Sequence, residues 1–285
     1  MTGGAPANSR AGSLLPRLSI VIVTYNSRTD IGDCLDSISA DRAPRVAHEI
    51  VIIDNRSTDG TVAYLRERWP DIRVIDAGGN RGFAAANNIG IRQTSGEYVL
   101  LLNPDTSVHA GALDRLVATL DAEPAVAIVG PRIEDPGGLV ELSFGRMISP
   151  LAEVGQKLLV AGNDRRWPLL ASMVERMTSR PRAVDWVSGA CLLARRRDLE
   201  AVGLLDERFF MYTEDVDLCA SVRARGRQVR FEPAARIVHQ RGRSRFAARG
   251  ATETAYRQSQ IAFYEKHHPG WVAMLRAYLR LTGKI

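Results

Sequence analysis

Leu18-Ser-Ile-Val-Ile-Val-Thr24 is followed at once by Tyr25-Asn26-Ser27. The first seven residues are almost all apolar and mostly β-branched. A run of this kind reads as a strand buried on both faces, as in parallel sheets, and the polar triplet marks its end. Downstream, Asp30 to Ser39 carries Ile31, Leu35 and Ile38 at helical spacing. Glu49-Ile-Val-Ile-Ile-Asp54 is a second buried strand, closed by the polar turn Asn55 to Gly60. Thr58 or Asp59 is placed to cap the next helix, Thr61 to Trp69. Ile72 to Ile75 and Tyr98-Val-Leu-Leu-Leu102 are further strands, with a small-residue helix, Phe83 to Thr94, between them. A helix from Gly111 to Glu123 and a fifth strand, Val126 to Val129, continue the pattern.

Strands thus alternate with helices roughly every 25 residues, the signature of an open, mostly parallel α/β sheet. In such sheets ligands lie beyond the C-terminal ends of the strands. Asp54, Asn103 and Asp105 all fall there. The second half is less regular. Leu139 to Phe144 reads as an antiparallel strand. Pro150 to Arg182 reads as helical and basic, interrupted by Trp167-Pro168. Val184 to Ala194 reads as a strand with Ser188-Gly189 near its start, and Phe209 to Arg225 as a loop and a helix. Val229–Glu232 and Arg236–Val238 are short strands, and no internal repeat is visible.

The chain has 285 residues, 45% apolar and 25% charged, which excludes a disordered or fibrous class. Its net charge of +6 is uneven. Residues 219–285 hold 14 Lys and Arg against 3 Asp and Glu, whereas the rest is mildly acidic. That asymmetry calls for an anionic partner: nucleic acid, an anionic membrane face or a phosphorylated ligand. Cys34, Cys191 and Cys219 are odd in number and widely spaced, which argues against a disulfide framework and fits a reducing cytosol. Residues 1–16 read as a loose tail without the apolar core of a signal peptide. No apolar run reaches the roughly 18 residues of a membrane span.

Several clusters are able to carry chemistry. Asn103-Pro-Asp105 is a good turn sequence, and it also offers a carboxylate to a divalent cation that is shared with substrate phosphates. Asp54 is either a capping acid or a hydrogen-bond acceptor for a base or ribose. Arg81 lies in Asn80 to Asn87, where small residues permit close approach to a strand or a ligand. Met211-Tyr-Thr-Glu-Asp-Val-Asp217 sets three carboxylates within four residues. Mutual repulsion raises the pKa of one and suits it to general-base work, while the same acids match a helix dipole. His239, before the basic Gln240 to Arg245, is either structural or a metal or phosphate ligand.

Taken in order, these segments resemble the family-2 glycosyltransferases with the GT-A fold. The resemblance is carried by Leu18 to Asn26, Ile53 to Thr61, Asn80 to Asn87 and Leu101 to Thr106, then by Val187 to Arg195 and Leu205 to Leu218. Within the family the chain is most similar to bacterial rhamnosyltransferases of cell-wall and polysaccharide assembly, through Asn103-Pro-Asp105 and Phe210-Met-Tyr-Thr-Glu-Asp-Val-Asp217. The resemblance implies an α/β GT-A domain over residues 17–245, with a nucleotide-sugar-binding half (17–130) and an acceptor half (131–245). A basic helical extension follows over 246–285.

It further implies that Thr24, Asn26, Asp54, Arg81, Asn103 and Asp105 line the nucleotide-sugar. Trp186, Ser188 and Gly189 would face the sugars. Asp105 and His239 would hold Mg²⁺ or Mn²⁺. Asp215 would be the catalytic base, with Glu214 beside it. The implied donor is dTDP-rhamnose, with a UDP-sugar as the rival. The implied acceptor is a glycan or polyprenyl-linked hydroxyl at the cytoplasmic membrane face, reached by inversion at C1. Arg241 to Arg245 would close over the phosphates. Trp271 to Ile285 sets Trp271, Met274, Leu275, Tyr278 and Leu279 on one helical face and Arg276, Arg280 and Lys284 on the other. That pattern fits an interfacial helix, or a helix docked on the domain. A nucleic-acid-binding protein or a dead scaffold on the same fold are the readings of another class. Against the first, aromatic residues do not interleave with the basic ones. Oligomeric state stays open.

Overall fold

The fold is that of a computed structural model and is described for residues 15–240 and 249–283. Four parallel strands form its nucleus: β1 (Leu18–Thr24), β2 (His48–Asp54), β3 (Arg73–Asp76) and β4 (Tyr98–Leu102), in the order β3-β2-β1-β4. They are joined by α1 (Ile31–Ser37), α2 (Thr61–Arg68) and α3 (Gly82–Arg92). Successive β1 side chains point to opposite faces, so one strand feeds two cores. Ile20 and Ile22 pack with Ile31 and Leu35 of α1, and with Leu116 and Leu120 of α4 (Ala112–Ala122). Val21 and Val23 pack with Ala84, Ala86 and Ile91 of α3. Both faces are covered by helices, which is why these strands read as continuous apolar runs.

Past β4 the sheet becomes mixed. β11 (Cys191–Arg195) runs antiparallel between β4 and β6 (Val126–Glu134), and β12 (Gln228–His239) lies parallel to β6. β5 (Thr106–Val108), which the sequence reading missed, pairs antiparallel with the end of β12. Three further expectations are corrected. Leu139 to Phe144 is not one strand but β7 (Val140–Glu141), on the edge of β6, and β8 (Phe144–Gly145). Val184 to Ala194 is likewise divided, by the turn at Ser188-Gly189, into β10 (Trp186–Val187), paired with β8, and β11. Conversely, the two short strands around Pro233 are one strand, β12, with an irregularity between Glu232 and Arg236. The N-cap position of α2 is Gly60, and Asp59 Oδ1 accepts the Thr61 amide at 3.0 Å, so Asp59 caps the first turn as expected.

The second half of the chain also contains α5 (Pro150–Asp164) and α6 (Pro168–Met177), split where Trp167-Pro168 breaks the pattern. β9 (Arg182–Val184) pairs with β12, and α7 (Arg196–Ala201) and α8 (Glu214–Ala224) complete this half. Two helices end the described chain, α9 (Arg249–His267) and α10 (Val272–Leu281). The face expected to be uniform on the last helix is divided. Leu275 and Leu279 are buried against Phe209, Val216 and Phe263, while Trp271, Met274 and Tyr278 are exposed. Helix α10 therefore docks on the domain. Lys284, residues 1–14 and the basic loop Arg241 to Arg245 lie outside the described residues.

Candidate functional site

The β1–β2 register sets Thr24 opposite Asp54 at the C-terminal ends of both strands. The Thr24 hydroxyl donates to Asp54 Oδ1 at 3.0 Å, and the Ser57 amide donates to Oδ2 at 2.9 Å. Each carboxylate oxygen keeps lone pairs for a further donor. Asn26 has a left-handed backbone (φ 54°) and accepts from the Thr58 amide at 2.8 Å, so it shapes the loop beside Asp54. Arg81 is exposed, and its Nε donates to the Ala77 carbonyl at 2.5 Å. This polar edge lies at the C-terminal ends of β1 and β2, where Thr24 and Asp54 are buried.

A second corner forms where β5 meets β12. His239 pairs with Thr106, which sets it beside Asp105. His239 Nε2 lies 3.3 Å from Asp105 Oδ1, and Nδ1 lies 3.6 Å from Glu141 Oε2. Burial alone would lower the imidazole pKa, but the two carboxylates outweigh it and raise it to about 9. A metal takes only the neutral imidazole, so a cation at this corner would replace the proton between His239 Nε2 and Asp105. Asp105 and His239 fit Mg²⁺ or Mn²⁺ as a carboxylate and an imidazole donor, with Glu141 orienting the ring from behind. Among the described residues no group of three or more side chains is arranged to hold a metal, so phosphate oxygens and water must complete any shell.

The third element is the start of α8. Asp215 Oδ2 accepts from the Gly189 amide at 2.7 Å, and Oδ1 from the Val216 amide at 2.8 Å. Burial raises the Asp215 carboxyl above its ordinary value, and these amides pull it partway back. Glu214 is buried, its Oε2 has no hydrogen-bond partner, and desolvation with the neighbouring Asp215 raises its pKa well above normal. Just before them, Tyr212 (φ 71°) and Thr213 (φ 65°) both have left-handed backbones. Such residues cost on the order of 1–3 kcal/mol each and cluster at functional sites.

The three carboxylates of this segment do not act as one repelling group. Glu214 and Asp215 share a buried environment, whereas Asp217 is paired with Lys266 and His267. Neither partner was a sequence candidate, because both lie about 50 residues away in the chain. Trp186 donates its indole N–H to the Arg146 carbonyl at 2.9 Å. Ser188 donates its amide to the Ser143 carbonyl at 2.8 Å.

Two hydrogen bonds join the corners. The Asn103 amide donates to the Ala190 carbonyl at 2.9 Å, next to the Gly189 amide that holds Asp215. The Phe83 amide donates to the Phe210 carbonyl at 2.7 Å, tying the start of α3 to the segment that leads into α8. The sheet edge, the Asp105–His239 corner and Asp215 thus form one framework. Acidic side chains gather at the C-terminal ends of the strands, where ligands of open α/β sheets lie.

Residues 19–203 match the model of Glycosyl transferase family 2, and the chain belongs to that family. It is 33% identical over 277 residues to N-acetylglucosaminyl-diphospho-decaprenol L-rhamnosyltransferase of Mycobacterium tuberculosis, covering 93% of this chain and 88% of that one. It is 30% identical over 218 residues to the low-salt glycan biosynthesis hexosyltransferase Agl10 of Haloferax volcanii, covering 74% of this chain and 63% of that protein. Among solved structures, a mannosyltransferase from Pyrobaculum calidifontis in complex with GDP-Man and Mn²⁺ superimposes with a TM-score of 0.62 at 22% identity, over 93% of this chain and 70% of that one. GalNAc-T7 with UDP, GalNAc and Mn²⁺ gives 0.58 at 18% identity, over 79% and 43% of the two chains. The fold is therefore that of the GT-A glycosyltransferases, and the protein is a glycosyltransferase similar to rhamnosyltransferases.

Proposed function

We propose that this glycosyltransferase is metal-dependent and inverting, and that it moves L-rhamnose from dTDP-rhamnose to a hydroxyl of a glycan or polyprenyl-linked acceptor. The observation that supports the reading is the pair of links Asn103–Ala190 and Gly189–Asp215, which ties Asp215 to the turn that carries Asp105. Asp54 and Thr24 would receive the base and ribose edge of the donor. Asp215 would take the proton from the acceptor hydroxyl as that oxygen attacks C1. A base that activates the acceptor hydroxyl for direct attack supports a single displacement, which would invert C1. A cation at Asp105 and His239 would neutralise the charge that develops on the departing diphosphate. The donor sugar is supported by the rhamnosyltransferase relative, whose name also includes a decaprenyl-diphosphate acceptor.

We further propose a peripheral contact with the cytoplasmic membrane face. No helix among the described residues is long and apolar enough to cross a membrane. Val154, Leu158, Trp167, Leu169 and Met173 are exposed on α5, α6 and their junction, beside exposed Lys157, Arg165, Arg166 and Arg176. Apolar side chains rimmed by cations suit an anionic interface. The α5–α6 pair is thus a second surface for the contact beside the last helix, where Trp271, Met274 and Tyr278 are exposed. Leu158→Ser with Leu169→Ser should reduce pelleting with phosphatidylglycerol vesicles, and undiminished pelleting would rule this surface out.

The function itself is tested by nucleoside diphosphate release, with Mg²⁺ or Mn²⁺, from dTDP-rhamnose, UDP-galactofuranose and UDP-N-acetylglucosamine in turn. Turnover of dTDP-rhamnose alone is expected. Turnover of a UDP-sugar instead would overturn the donor assignment.

A further inference from the structure

The family match ends at residue 203, before the segment that carries Asp215. What holds that segment is the C-terminal helix α9. Asp217, two residues after Asp215 in the first turn of α8, is only 2% exposed. Its Oδ2 accepts from Lys266 Nζ at 2.9 Å, and its Oδ1 lies 2.6 Å from His267 Nε2. Lys266 Nζ also reaches Asp206 Oδ2 at 2.9 Å, so one ammonium ties both ends of the segment 206–217. Ser259 donates to the Met211 carbonyl at 2.7 Å, and the Tyr256 ring meets the Tyr212 ring edge-on at 5.8 Å. These contacts fall on the two residues next to or within the left-handed turn at Tyr212 and Thr213. Phe209 and Val216 are buried against Phe263 and Tyr264 of the same helix.

The placement has a physical logic. Two consecutive non-glycine residues with positive φ relax unless the surroundings over-determine them. Within its own half, Asp215 is held by the Gly189 amide and by the amide of its neighbour Val216. Apart from the Phe83–Phe210 backbone bond to α3, the long-range polar ties named above on this segment come from α9. We infer that Asp217, Lys266 and Ser259 are positioning residues: helix α9 clamps the segment 206–217 so that the Asp215 carboxylate keeps its pose. This deepens the proposed reaction, because it assigns the C-terminal extension to the catalytic machinery of the same site. A rigid support behind a catalytic group is what a base of fixed geometry requires, since small displacements cost large factors in rate.

The test compares Lys266→Met, Lys266→Arg, Ser259→Ala and, as a control on the adjacent helix α10, Arg276→Ala, which breaks only an exposed pair with Glu265. Full-length variants would be measured for kcat and donor KM, and for hydrogen exchange of the peptide 206–217 against peptides from β1 to β4. Lys266→Met should lower kcat by about tenfold or more with donor KM within about twofold, and Lys266→Arg should recover most of the loss. Exchange in 206–217 should accelerate in Lys266→Met and Ser259→Ala while the β1–β4 peptides stay protected. Arg276→Ala should behave as wild type. Unchanged kcat and exchange in Lys266→Met would overturn the clamp, and so would a loss spread evenly over the chain. If wild type turned over no nucleotide-sugar, the function would fall, while the exchange comparison would still decide the clamp.

Discussion

The backbone amide of Gly189 donates to Oδ2 of Asp215 at 2.7 Å, across the turn between β10 and β11. A Cβ on Gly189 would stand 3.2 Å from the Asp215 Cβ, so the missing side chain is what permits the approach. The bond aims the carboxylate, while burial raises its pKa above the ordinary value. Asp215→Asn keeps shape and removes the base. It should lower kcat by roughly 10²- to 10⁴-fold, while the donor still raises the melting temperature by mass action. Full turnover in the variant would refute the base assignment.

Glu214 predicts a pH dependence of stability. Its carboxyl is pushed well above the ordinary range by burial and by Asp215. An acid raised in the fold binds its proton more tightly folded than unfolded. Its contribution is thus present at low pH and is lost as pH rises from about 4.3 through the folded value. The melting temperature of wild type should fall more steeply than that of Glu214→Gln between about pH 5 and about pH 8. Parallel profiles would show that Glu214 ionises as freely folded as unfolded.

Gly82 has φ +81°, and a Cβ there would collide with the Phe210 carbonyl. That carbonyl accepts from the Phe83 amide and links α3 to the base-bearing segment. Gly82→Ala should break the link, lower kcat by on the order of tenfold and reduce stability by more than about 1 kcal/mol. Kinetic assay and urea denaturation would check both.

The metal proposal predicts that EDTA abolishes nucleoside diphosphate release and that added Mn²⁺ or Mg²⁺ restores it. Asp105→Ala and His239→Ala should each require higher metal concentrations, because each removes one of the two protein donors. Metal titrations of activity would measure this, and EDTA-insensitive turnover would exclude the assignment.

The docking of α10 predicts a contrast within one helix. Leu279 is fully buried and Leu281 is 89% exposed. Leu279→Ala should cost about 2–5 kcal/mol, whereas Leu281→Ala should stay within about 0.5 kcal/mol of wild type. Equal effects in thermal or urea unfolding would refute the docked arrangement.

Local patterning alone determined much of this protein. The buried runs at β1, β2 and β4, and the polar residues that end them, placed Thr24, Asp54, Asn103 and Asp105 at strand C-termini. A strand covered on both faces must be apolar throughout, and that signal is local. The small-residue helix α3 and the acidic start of α8 were legible for the same reason. Tertiary structure decided how the corners meet. His239 reaches Asp105 because β5 pairs with the end of β12, yet β5 is three residues long, too short to show a periodicity. The turn at Ser188-Gly189 breaks an apolar run, because Gly189 must offer its amide to Asp215.

The charge pattern was read least well. Asp215 and Glu214 were singled out among three neighbouring acids, but the pairing of Asp217 with Lys266 and His267 was not legible, because it depends on a helix about 50 residues away. Likewise, one amphipathic face on the last helix proved to be two. Leu275 and Leu279 find an apolar partner in Phe209, Val216 and Phe263, and Trp271, Met274 and Tyr278 remain at the surface. Periodicity shows which residues share a face. What that face meets depends on long-range packing, which no local pattern contains.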